Sequence, residues 1–80
     1  MTHAYAFEHD GKTYSVTGYF AVSGNEEFSV ARRLHKSELR ASIDAQAGAK
    51  LEGVVVAASE AELVGKLKAL YPGLEHFIKL

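Results

Sequence analysis

Four histidines, ten carboxylates and one short basic run are the groups in this 80-residue chain with the makings of a reactive site. His3, His9, His35 and His76 would be the metal ligands, since imidazole suits zinc and its neighbours. None stands four residues from another, as on a zinc-binding helix. Along an extended strand His3 and His9 fall ~20 Å apart, at ~3.4 Å per residue. They read as surface or rim histidines. The carboxylates offer no spaced acid–base pair, and Glu26-Glu27 reads as a solvated turn. There is no nucleophile elbow, phosphate loop or glycine-rich dinucleotide turn. Gly18, Gly24, Gly48, Gly53 and Gly65 are scattered, and cysteine is absent. A chain this short has little room to wall off the ~300 Å³ or more that a ligand pocket needs. The expectation is a non-enzyme with no metal and no cofactor.

The basic run is the more informative feature. Arg32, Arg33 and Arg40, all the arginines of the chain, fall within nine residues together with His35 and Lys36. A net charge of −1 and a pI of about 6.4 nevertheless exclude bulk coating of nucleic acid, whose binding domains are typically basic. The cluster is therefore expected to act locally, on a protein surface or on a few phosphates.

Residues 5–22 should position it. Two alternating runs flank Asp10-Gly11, a pair suited to the type I′ turn whose central residues both need positive φ. That turn predicts a hairpin with His9 facing Lys12, Phe7 facing Tyr14 and Tyr5 facing Val16 on one face. Glu8/Thr13, Ala6/Ser15, Ala4/Thr17 and Thr2/Tyr19 fall on the other. Residues 27–35 read as a third strand, with Phe28, Val30, Arg32 and Leu34 sharing a face. A loop centred on Asn25 would set Val22 against Phe28, Phe20 against Val30 and Val16 against Leu34. It would also set Tyr19 against Ala31, Arg33 against Thr17 and Arg32 against Gly18. Read as a helix, the same segment gives a poor apolar stripe.

Further on, Ser37 is a fitting cap for a short helix over 38–47, with Leu39, Ile43 and Ala47 inside. Residues 51–58 centre on Val54-Val55-Val56, a β-branched run expected of a strand covered on both sides. Ser59-Glu60-Ala61-Glu62 is a capping box opening a second helix that Pro72-Gly73 closes. Residues 74–80 alternate as a last strand, parallel to the preceding one wherever the two are neighbours. The fold expected is α+β: an antiparallel three-stranded meander followed by αβαβ, βββαβαβ in all, as one domain over residues 1–80. With 48% hydrophobic residues the core is attainable, but eighty residues is near the lower limit for a single core. Pairing of two copies would help it. No apolar run approaches the ~20 residues of a membrane span, and the lack of cysteine fits the cytoplasm.

These features favour a non-enzymatic protein-binding module. Its contact surface is expected on the second face of the meander, where Tyr19, Arg33 and His35 stand among small polar residues, joined by Arg32, Lys36 and Arg40. Tyr and Arg combine large contact area with directed hydrogen bonds. Arg32, on the core face, should run out along the sheet rim or into a partner. Size and lack of motif fit, as a class, the small inhibitors that phages aim at host complexes, anti-CRISPR proteins among them. The alternative is nucleic-acid binding. It needs residues 26–47 in one helix, which would bring Arg33, Lys36 and Arg40 to one side with Arg32 near. A third reading is a subunit of a larger assembly.

Overall fold

A computed structural model describes residues 2–19, 24–35 and 48–80. They form β1 (Thr2–His9), β2 (Lys12–Tyr19), β3 (Glu26–Arg33), β4 (Ala49–Ala57), one helix α1 (Glu60–Leu70) and β5 (Glu75–Lys79). The strands make a single five-stranded sheet in the order β4-β3-β2-β1-β5, and every neighbouring pair is antiparallel. This corrects the expected βββαβαβ chain: the described residues run ββββαβ, with one helix. The segment expected as a first helix, 38–47, lies outside the described residues. β4 and β5 are not neighbours; they form the two opposite edges, so no parallel pair arises.

The first hairpin follows its turn. Asp10 and Gly11 take φ of 52° and 74°, and the strands pair from His9↔Lys12 to Thr2↔Tyr19 in the register that the turn dictates. The β2–β3 register departs from expectation. Val16 faces Val30 rather than Leu34, and Ser15 faces Ala31, a slip of four residues. An even slip leaves every side chain on its own face, because strand periodicity is two. The core is thus the expected one wherever it is described: Tyr5, Phe7, Tyr14, Val16, Phe28, Val30 and Leu34 are buried, joined by Val55, Ala57, Leu63 and Leu67. Gly18 makes room for Phe28, not for Arg32; a Cβ there would come within 2.6 Å of the Phe28 ring and 2.7 Å of the Glu27 carbonyl oxygen.

Ser59 caps α1, its Oγ accepting from the Glu62 N–H at 3.2 Å, while the Glu62 carboxylate reaches back to the Ala58 N–H at 3.5 Å. Glu62 also pairs with Lys66 at 3.0 Å, and Lys66 donates to the Val56 carbonyl of β4. These hydrogen bonds hold the Glu62 carboxyl below its ordinary range, Lys66 first and the Ala58 N–H second. Leu63 and Leu67 turn onto the sheet. Past the helix, Tyr71 packs against Phe7, Tyr14 and His9 with ring centroids 4.9–5.4 Å apart. Helix and aromatic cluster therefore cover one side of the sheet.

Both edge strands are bulged. On β4 the pairing steps from Val30↔Gly53 to Ala31↔Leu51, leaving Glu52 extra. On β5 it steps from Ala6↔Ile78 to Glu8↔Glu75, and His76 takes a left-handed φ of 55° within the extra residue's span. Bulges of this kind hinder edge-to-edge pairing with another sheet.

Candidate functional site: the open face of the sheet

α1 leaves the second face of the sheet uncovered among the described residues, and pairing fixes what stands there. One row reads Val54, Ser29, Thr17, Ala4 and, through the Leu80 N–H to the Ala4 carbonyl at 2.8 Å, Leu80. The next reads Leu51, Ala31, Ser15, Ala6, Ile78. Each row is large and apolar at its ends and small across its three middle strands. The bulges produce this arrangement. Without the extra residue in β4, Leu51 and Val54, three apart, would point to opposite faces. The bulge in β5 likewise puts Glu75 and Ile78 on one side while Phe77 turns inward against Tyr5, with centroids 5.4 Å apart.

The exposed apolar surface concentrates there. Of the seven large hydrophobic side chains that stand exposed among the described residues, six are on this face: Tyr19, Leu51, Val54, Val56, Ile78 and Leu80, at 41–70% exposure. Leu70, on α1, is the seventh. Val54 and Val56 overturn the expectation that their strand is covered on both sides. An isolated exposed leucine needs no explanation; here Leu51, Val54 and Val56 cluster on the β4 edge and Ile78 and Leu80 on the β5 edge of one face, with small residues of β1–β3 between them.

The predicted site residues divide. Tyr19 is exposed on the open face, next to the Glu27 end of β3. Arg33 is exposed on the same face but at the other end, opposite Ala49. The slip in register separates them: Arg33 falls level with Thr13, six residues from Tyr19 and so ~20 Å away along β2. They do not form one patch. Arg32 points to the opposite side, beside Tyr14 and Lys50, and its side chain is only 13% exposed, with Nε 3.9 Å from a Glu52 carboxylate oxygen. It is covered in the protein's own structure and does not run out along the rim. His35 is exposed just past β3. Lys36 and Arg40 lie outside the described residues. Because 26–33 is a strand, Arg32 and Arg33 face opposite ways, and the single basic helix over 26–47 is not formed.

The histidines of the described residues stand apart from one another. His3 stacks on Tyr5, His9 meets Tyr71 edge-on, and His76 Nε2 lies 3.8 Å from Glu8 and 3.7 Å from Glu75 at the exposed bulge. Among the described residues no three metal-binding side chains converge. Burial pushes the phenols of Tyr5, Tyr14 and Tyr71 above their ordinary 10.0, and nearby carboxylates add to it: Glu60 for Tyr5, Glu52 for the other two. These tyrosines stay protonated packing groups. An open hollow of about 380 Å³ does lie beside Arg33, with Ala6, Thr13, Ser15 and Ala49 in its lining, and it belongs to the open face.

Sequence reasoning found the face but not its apolar walls. The missed signal was the spacing of Leu51 to Val54 and Glu75 to Ile78, which breaks strict alternation where a strand nevertheless continues. The chain matches no known family model, no curated protein and no solved structure.

Proposed function

We propose that this chain is a non-enzymatic protein-binding module whose contact surface is the open face of its sheet. One observation carries the reading: of the seven large apolar side chains exposed among the described residues, six share that face, around a floor of alanine, serine and threonine. A patch with large anchors and small polar surroundings resembles the anchor-and-rim layout of protein interfaces. Tyr19 and Arg33 serve as anchors at its two ends, and His35 extends the Arg33 end. Blocking a larger complex by occupying its surface is the mode of action such a module supports, as small phage inhibitors of host complexes do. A cysteine-free chain suits a reducing, cytoplasmic setting. No helix among the described residues is long and apolar enough to cross a membrane.

The test is affinity capture from the source cell with the wild-type chain, a Val54→Asp/Ile78→Asp variant and a Leu70→Asp control. The open-face variant loses the captured partner while the control keeps it. Equal capture by all three contradicts the reading.

A further inference from the structure

β4 is an edge strand whose outward backbone groups meet side chains of the helix that follows it. In an antiparallel sheet alternate residues turn their N–H and C=O groups to opposite neighbours. On β3 the Leu34 N–H donates to the Gly48 carbonyl just ahead of β4, whereas the Glu27 carbonyl turns toward β2, beside Gly18. Even-numbered residues of β3 therefore bond to β4, and odd-numbered ones to β2. Val54 and Val56 stand level with Ser29 and Glu27, so their own N–H and C=O groups turn away from β3, to the outer side of the sheet. Among the described residues no strand pairs with that side.

Two side chains of α1 reach these groups. Lys66 Nζ donates to the Val56 carbonyl, and the Glu62 carboxylate accepts from the Ala58 N–H at 3.5 Å. The two side chains meet each other at 3.0 Å and stand half-exposed. Exposed pairs at this spacing add little to a helix, so their placement over the strand edge has another reason. Residues 53–59 are uncharged, β-branched at their centre and free of proline, the composition that pairs with itself. The Glu52 bulge interrupts the edge ahead of this run but not within it, since Gly53 to Ala57 keep one register with β3. Against a second copy the run pairs antiparallel about Val56, which brings the two Val56 residues together and sets Val54 level with Ala58 of the copy. That pairing needs the Val56 carbonyl at its centre and the Ala58 N–H at its flank.

We propose that Glu62 and Lys66 are an edge guard, which keeps β4 from pairing with β4 of a second copy by occupying the Ala58 N–H and the Val56 carbonyl. The guard is independent of what the open face binds. The test compares the wild type with Glu62→Ala/Lys66→Ala and with Glu60→Ala/Lys68→Ala, which takes one acid and one base from the same helix. Sedimentation velocity over a concentration series reads the association, and amide exchange locates it. The unguarded variant should associate about tenfold or more tightly than the control. Its Val54 and Val56 amides should gain protection as concentration rises. Lys66→Met keeps the stem and the Glu62 cap, should associate likewise, and decides the matter where circular dichroism shows the double variant losing its helix. The proposal is overturned if the folded variants sediment as the control does, or if they associate while the Val54 and Val56 amides exchange freely. Protection of those amides by self-association of the wild type would overturn it equally.

Discussion

Gly18 and Tyr5 show what single side chains contribute to this small core. Gly18 is packed so closely by Phe28 and the Glu27 carbonyl that a methyl group must displace backbone as well as ring. Gly18→Ala should therefore lower stability by about 1–3 kcal/mol, the range of overpacked cores, and a urea titration will show it as a lower midpoint with unchanged slope. Tyr5 is the reverse case. It is fully buried, and its hydroxyl has no hydrogen-bond partner among the described residues, an unmade bond in a domain with little stability to spare. Tyr5→Phe removes the orphan oxygen and keeps the ring against Phe77. It should raise the unfolding free energy by about 1 kcal/mol, seen as a higher melting temperature. A lower one would mean that the hydroxyl is satisfied in solution.

Among the elements, α1 has one avoidable weakness. A Cβ on Gly65 would meet nothing within 4 Å, so no close approach within the described chain explains the glycine. Gly65→Ala should stabilise the protein by up to about 1 kcal/mol by thermal unfolding, through helix propensity alone. The elements also show where the sequence could be read and where it could not. The β1–β2 hairpin was legible from Thr2 to Tyr19, because the Asp10-Gly11 turn permits one register. The capping box at Ser59 was legible for the same local reason. The β2–β3 pairing was not: a slip of four residues keeps Phe28, Val30 and Leu34 on the core face, so apolar pattern cannot choose between the two registers. That slip moved Tyr19 away from Arg33 and took half the expected site apart. The edge bulges were hidden for a related reason. A single extra residue reverses the alternation downstream of it, and its trace in the sequence is the broken alternation from Leu51 to Val54 and from Glu75 to Ile78, which strict period-two reading passes over. β4 consequently read as an interior strand, when its valines build one wall of the open face.

At the scale of the whole molecule, the described residues form one sheet with one covered face. Its covered side sets a pH limit. Tyr5, Tyr14 and Tyr71 are all raised above 10.0 by burial, so the folded state holds these protons more tightly than the unfolded chain does. Their contribution is complete below pH 10 and is lost as pH rises through the folded values, by up to ~1.4 kcal/mol per group and pH unit. Urea midpoints should fall steeply above about pH 10, and Tyr14→Phe/Tyr71→Phe should flatten the fall. The uncovered side is the contact surface that we propose. Six large apolar side chains stand in water on one face among the described residues, and on the proposed reading contact with another protein buries them. Hydroxyl-radical labelling of the chain, free and in complex with its captured partner, tests this most directly. Leu51, Ile78, Leu80 and Tyr19 should lose reactivity in the complex while Leu70 on α1 keeps it. Protection of Leu70 with the open face still labelled would contradict the account.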